Sequence, residues 1–482
     1  MPSQMKKNMN DTKRISEDDK LPVKQKIAYA LGGTVEQFSG SSVGPMWMPI
    51  LNLGFGISPG ALSIVGVLQS LFGAIVDPLI GNMSDNARTR WGRRRPFIFI
   101  GAALTAIFTP LTWCISPGWS EMQMLVYVTL IGLVVHSCVA LWAMPYNSLM
   151  LEMTPSYDER TRISAYRTIV MKFGALVGTW ILPLASSKFF ANPATGQPDL
   201  VKGILTISIV LSGATLLFGA LPALFVPERY YAKEASKQPK EPLIKGFRDS
   251  IHLKPLWYLI LIVLFQVLGY VMVGGMGFYI NVFYISKGQL ADAAVIEGMK
   301  GTTAFIVGLG AVPFWTWVCE KLDKKWTLMI ILGSGFVSSA LNFICLTPKY
   351  PYLQIIPAVF YASVTASIWL ILPSMLADVV DLDEVKTSCR REGNINAVFG
   401  WFFKFGTMIG GGLSGFILVW TGFEAKNGAN QAPGVIHLML ILFLTVPAIF
   451  WSIAVVLLWR YPLDRKKMTE IRRELEARRG AV

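Results

Sequence analysis

The stretch Gly81–Pro96 reads GNMSDNARTRWGRRRP and lies between two long apolar runs. Asp85 is followed by Arg88, Arg90, Arg93, Arg94 and Arg95 just where the first of those runs ends. Such a cluster cannot cross a bilayer, so it assigns the loop to the cytoplasmic side of a membrane. An aspartate and several arginines at the foot of two membrane helices can also close a latch that a moving protein makes and breaks. Asp85, Arg93 and Arg94 are therefore candidate gating residues.

The rest of the chain agrees with a membrane setting. Of its 482 residues 53% are hydrophobic and only 15% charged, where a soluble domain carries about 25% charged. The mean hydropathy is +0.48. Apolar runs of about 20 residues recur, the length that spans about 30 Å of hydrocarbon. A spanning β-barrel would instead show short alternating segments. The net charge of +14 follows from basic residues gathered in the loops assigned to the inside. That is the pattern of membrane orientation rather than of a nucleic-acid surface.

Twelve membrane helices are expected, at about 27–52, 59–82, 96–115, 122–148, 163–187, 203–226, 256–286, 298–320, 326–346, 350–378, 395–420 and 434–460. The chain divides into a cytoplasmic tail (1–26), a six-helix bundle (27–226), a polar basic linker (227–254), a second bundle (255–460) and a basic tail (461–482). Residues 1–26 have no apolar core, so no cleavable leader is expected. Both termini are expected in the cytoplasm, with the protein in the plasma (inner) membrane. The tail from Arg460 reads as a short basic helix on the inner surface.

The halves echo each other. GNMSD, before the arginines, corresponds to CEKLDKK, with Asp323 at the place of Asp85. PYNSLMLEM at the end of the fourth segment corresponds to LPSMLADVV at the end of the tenth, so Ser148 and Glu152 match Ser374 and Asp378. Two related six-helix halves joined by a linker are the signature of a rocking transporter.

A charge in mid-bilayer costs about 2.5–3.5 kcal/mol on insertion scales, so it faces a cavity or a partner. The candidates are Glu36, Asp77, Arg167, Lys172 and Lys404. Gln37, Trp142, Tyr146, Asn147, Tyr166 and Trp401 lie close to them in sequence. Sugar sites combine charged partners for hydroxyls with aromatic faces for the apolar side of the ring. His136 is set aside, because a lone histidine in an apolar helix more often simply bonds a neighbour. The five cysteines are scattered and form no metal or redox pattern. Neither a nucleophile motif nor a phosphate loop occurs, so neither enzymatic chemistry nor ATP is expected. No cofactor, no metal and no obligatory protein partner is implied.

Four stretches carry a family resemblance: VDPLIGNMSDNARTRWGRRRPFIFIG, MPYNSLMLEMTPSYDERTRISAYR, MLADVVDLDEVKTSCRREGNINAVFGWFFKFG and MTEIRRELEARR. Through them the chain resembles the glycoside–pentoside–hexuronide:cation symporters, the melibiose-permease-like branch of the major facilitator superfamily. The resemblance implies a twelve-helix fold in two pseudo-symmetric bundles, with a central sugar site open to each side in turn. Arg167 and Lys404 match the two basic residues that line the sugar site in that type. Asp77, before Pro78, matches a helix-2 aspartate of the coupling-ion site. The chain also departs from the pattern. Gly73, Ala143, Gln37 and Asn147 stand where that type has two aspartates of the coupling-ion region, a sugar-binding aspartate and a sugar-stacking tryptophan. Glu36 is adjacent to Gln37.

One carboxylate of the coupling set remains, so proton rather than sodium coupling is expected, through Asp77 or Glu36. If all five charges face the cavity, three are positive and two negative. Such a pocket suits a carboxylate-bearing sugar, gripped by Arg167 and Lys404 with help from Gln37, Glu36, Asn147 and Trp401. At the cytoplasmic side, Asp85 with Arg93 and Arg94, and Asp378, Asp381 and Glu384 with Arg160 and Arg162, are expected to form bonds that break on rocking. Two alternatives remain open: a transporter of lipid-like or other non-sugar cargo, and a non-transporting sensor on the same fold.

Overall fold

The computed structural model describes residues 21–43, 47–116, 118–154, 157–191, 198–228, 253–387, 391–428 and 430–479. Residues 1–20 of the expected tail 1–26, most of the expected linker and residues 480–482 lie outside them.

In hydrocarbon each backbone N–H and C=O must be bonded within its own segment, which makes the long apolar runs helical. The described helices are α1 (Val23–Gly32), α2 (Thr34–Val43), α3 (Trp47–Phe55), α4 (Pro59–Asn86), α5 (Arg95–Leu111), α6 (Glu121–Met153), α7 (Tyr157–Ala185), α8 (Leu200–Phe225), α9 (Lys254–Ile280), α10 (Leu290–Lys321), α11 (Lys324–Cys345), α12 (Ile355–Thr387), α13 (Glu392–Trp420), α14 (Val435–Trp459) and α15 (Arg465–Arg479). Among the described residues ten helices are long and apolar enough to cross a membrane. The expected twelve differ at two places. Helix α1 ends at Gly32, so the described residues 23–43 form two short helices where one long one is expected, and α5 is an apolar helix of 17 residues. Large apolar side chains stand on the outside, among them Phe343 at 80%, Trp420 at 72% and Val210 at 68% exposure. Water would not tolerate that surface, whereas lipid does.

The chain forms two compact units. One comprises residues 1–50 and 68–239, the other 51–67 and 240–482. Residues 51–67 thus group with the second unit, away from the bundle in which the sequence alone places them.

Within the first unit α1 packs on α7 and α8, and α5 packs on α6 and α8. Within the second unit α9 packs on α13 and α14, and α11 packs on α12 and α14. The same four pairings recur at matching positions. The two longest helices, α6 and α12, have 33 residues each. At about 1.5 Å per residue each is about 50 Å long, well beyond the hydrocarbon thickness. Their last turns therefore carry Glu152 and Asp378 past the apolar layer.

Candidate functional site

Glu36, Asp77 and Arg167 in the first unit each have a partner. Arg167 on α7 reaches Glu36 on α2, with Nη2 to Oε2 at 3.5 Å. Asn147 on α6 turns its amide to the other Glu36 oxygen, also at 3.5 Å. The Arg167 guanidinium lies over the Tyr146 ring, 5.1 Å from its centroid, a cation–π contact. Tyr146 is in turn fixed from all sides. It stacks on Tyr29 at 4.5 Å and on Trp142 at 4.3 Å. Its hydroxyl donates to the Tyr29 carbonyl at 2.8 Å, and the Tyr29 hydroxyl donates to the Tyr146 carbonyl at 3.2 Å. Trp142 Nε1 donates to the Gly219 carbonyl. The close approach of α1 requires glycine at 32, where a Cβ would stand 2.6 Å from Pro222 and 2.8 Å from Tyr146. A rigid aromatic platform thus holds Arg167 in place. Its Nε is buried and has no hydrogen-bond partner among the described residues. Gln37 packs against α7 at Gly174.

Asp77 is paired with the residue that the sequence reading set aside. His136 Nε2 on α6 is 3.4 Å from Asp77 Oδ1 on α4. Lys404 and Trp401 lie on α13 in the second unit, and both are exposed. Trp401 stacks on Phe405 and meets Phe402 edge-on.

At the arginine-bearing end, Arg94 Nη2 is 3.0 Å and Arg93 Nη2 3.8 Å from Asp85 Oδ1. Both arginines also bind Glu152, Arg94 at 3.0 Å, and Arg94 donates to the Ser148 carbonyl. Burial pushes the Glu152 carboxyl up, against the pull of Arg94 and Arg93. Glu228 accepts the backbone N–H groups of Arg93, Arg94 and Arg95 at 2.9, 2.8 and 3.1 Å. A carboxylate there satisfies the orphan donors at the start of α5 and complements its dipole.

The second unit repeats the motif with a lysine. Lys324 Nζ donates to the Ser374 carbonyl at 3.0 Å and to both Asp378 oxygens at 2.7 and 2.6 Å. Ser374 and Asp378 are the counterparts of Ser148 and Glu152. Asp323, at the place of Asp85, accepts the N–H groups of Lys324 and Arg465, and so caps α11 and ties α15 to it.

Several of the expected gating residues have partners within their own units. Asp378 is held by Lys324. Arg162 is bound to Glu159 at 2.9 Å, and Arg160 donates to the Thr154 carbonyl. Glu159 also binds Lys26 at 2.6 Å. Asp383 is gripped in two places by Arg391. Asp381 and Glu384 are half-buried on α12. The sequence reading passed over Lys324, Glu159, Lys26 and Glu228, whose signal is only a charge near a helix end.

A cavity of about 430 Å³ lies in the second unit, lined by Asp323, Lys324, Ser374, Asp378, Tyr461 and Arg465 among others. It adjoins the Lys324–Asp378 pair and not the membrane-embedded charges. Tyr461 is buried there, and burial, with Asp378 and Asp323 nearby, pushes its hydroxyl far up.

Ten apolar spans, half-buried charge pairs on the apolar helices and a repeated charged motif at the helix ends together define a multi-pass membrane transporter. The family described as MFS/sugar transport protein matches residues 28–465, and the chain belongs to that family. It is a secondary transporter and not an enzyme. The glucuronide carrier protein homolog of Escherichia coli is 25% identical over 455 residues, covering 94% of this chain and 95% of that protein. The isoprimeverose transporter of Lactiplantibacillus pentosus is 25% identical over 461 residues, covering 92% and 90%. The crystal structure of a D-xylose-proton symporter has the same fold. It superposes with a TM-score of 0.62 at 14% identity over 92% of this chain and 99% of that one.

Proposed function

We propose that the protein carries a carboxylate-bearing sugar, a hexuronide or glucuronide, by proton symport with alternating access. Its setting is the plasma membrane, with both termini cytoplasmic and twelve membrane segments, counting residues 23–55 and α5 as spans. One observation carries the substrate assignment. Arg167 sits in a spanning helix, fixed over Tyr146, with a long contact to Glu36 and a buried Nε that lacks a partner among the described residues. A half-buried guanidinium with an unspent Nε donor fits an anion, and a carboxylate can take two parallel hydrogen bonds from it. Asn147 and Gln37 offer neutral donors and acceptors for hydroxyls. Lys404 supplies a second basic group and Trp401 an aromatic face. The glucuronide named for one relative supports the same class of cargo. Asp77 carries the coupling proton, and the single carboxylate retained there argues against sodium.

The test is a thermal-shift screen of the purified protein against uronides, neutral glycosides and pentosides, in acidic and alkaline buffer, with and without sodium. Stabilisation by uronides, lost in Arg167→Ala, is expected. Stabilisation by a neutral glycoside alone would remove the carboxylate from the substrate. Unchanged uptake of every sugar in Lys404→Ala would remove Lys404 from the site.

A further inference from the structure

The seam between α4 and α6 is interlocked in a way that the transport reading has not used. Gln69 on α4 fills the notch at Gly132 on α6, where a Cβ would lie 2.0 Å from its Nε2, and that nitrogen donates to the Val128 carbonyl at 3.1 Å. One turn further, the roles reverse. His136 on α6 fills the notch at Gly73 on α4, where a Cβ would lie 2.3 Å from the imidazole Nε2. The ring is thereby held next to the carboxylate of Asp77, which lies one turn beyond Gly73 on the same face of α4. Nε2 is buried, has no hydrogen-bond partner among the described residues and stands 3.4 Å from Asp77 Oδ1.

The other titratable groups around the ring are few. α5, which packs along α6, has none between Pro96 and Leu111. Cys138 is the nearby thiol on α6 itself. The charged side chains on the spanning parts of α2 and α7 are Glu36, Arg167 and Lys172. Glu36 and Arg167 meet α6 at Asn147 and Tyr146, about 15 Å along the axis from His136.

Resting on the symport reading above, we propose that His136 and Asp77 form one proton-binding dyad, and that the imidazole makes this transporter proton-selective. A proton from the aqueous side binds Nε2 and turns the imidazole into an imidazolium held against the Asp77 carboxylate. Opposite charges held together tolerate an apolar surrounding better than an imidazolium by itself would, so the carboxylate favours the protonated ring. Hard cations want several oxygen ligands; here a nitrogen ring fills the space beside the single carboxylate. Histidine is the side chain suited to exchange a proton near neutral pH.

Two measurements decide this. The first needs no substrate. Potentiometric titration of the solubilised protein from about pH 5 to about pH 8 compares wild type with His136→Gln. Uptake of about one proton fewer per chain in the variant is expected, and equal uptake overturns the proposal. The second uses proteoliposomes with methyl β-D-glucuronide and isoprimeverose as probes. Wild type alkalinises the medium as sugar enters and ignores a sodium gradient. His136→Gln still exchanges labelled for unlabelled sugar yet loses alkalinisation, and adding Asp77→Asn to it lowers alkalinisation no further. Alkalinisation retained in folded His136→Gln, or accumulation driven by sodium in wild type, overturns the proposal. Failure of wild type to exchange either sugar overturns the substrate reading instead, and the titration then decides the dyad alone.

Discussion

Arg167 and His136 show what single residues reveal. A guanidinium within an apolar run is rare enough to be noticed in a sequence, and its neighbours Glu36 and Asn147 were noticed with it. The structure adds that Arg167 shares Glu36 with the Asn147 amide. Arg167→Lys keeps the charge but loses the planar fork. It should weaken uronide binding about tenfold, or about 1.4 kcal/mol, as read by isothermal titration. His136 was not legible, because a lone histidine has no sequence signal until its partner is known. Its fit at Gly73 gives a sharp stability prediction. Gly73→Ala places a methyl 2.3 Å from the imidazole and should cost about 1–3 kcal/mol by overpacking. In a His136→Ala background the same change should be close to neutral. Equal destabilisation in both backgrounds would show that the imidazole is not what Gly73 accommodates.

Helices were more legible than their ends. Periods of about 20 apolar residues located the long spans, because hydrocarbon thickness sets their length. Residues 27–52 read as one helix in the sequence, yet α1 stops at Gly33, whose N–H turns back to the Ala30 carbonyl at 2.9 Å; hydropathy carries no mark of such a turn. The end of α7 holds a second lesson. Burial alone would raise the Glu159 carboxyl, but Lys26, the Leu21 N–H and Arg162 overcome it and hold the group below its ordinary value. A depressed carboxyl contributes stability that is complete above its unfolded value of about 4.5 and is lost as pH falls through the folded value. Wild type should therefore lose stability on acidification below about pH 4.5 more steeply than Glu159→Gln, as measured by thermal unfolding across an acid series. On α12, Asp378 is nearly buried under Lys324, so Asp378→Ala leaves an uncompensated ammonium. It should cost about 3 kcal/mol, whereas the half-buried Lys300–Glu297 pair, three residues apart on one helix, should contribute under about 1 kcal/mol.

At the scale of the whole chain, the repeat was legible because two polar sequences recur at matching places. GNMSD and PYNSLMLEM in one half, with CEKLDKK and LPSMLADVV in the other, become two copies of one device: a basic side chain joining a serine carbonyl to a carboxylate one turn on. Which cation each carboxylate would choose was not legible, since several arginines and lysines compete near every helix end and only packing selects among them. Asp85→Ala removes the carboxylate shared by Arg93 and Arg94 while leaving Arg167, Glu36 and Asn147 untouched. Turnover should fall about tenfold, a change of about 1.4 kcal/mol in the barrier, while sugar affinity stays within about twofold. Transport and binding assays on the same preparation would separate the two, and an equal loss in both would place Asp85 in binding rather than motion. Glu228 bears on how the chain can be divided. It clasps three amides at the head of α5, so the first half ends in its own fastener. Co-expressed as two polypeptides, a fragment cut after Glu228 should assemble with its complement, and one cut after Val226 should be degraded.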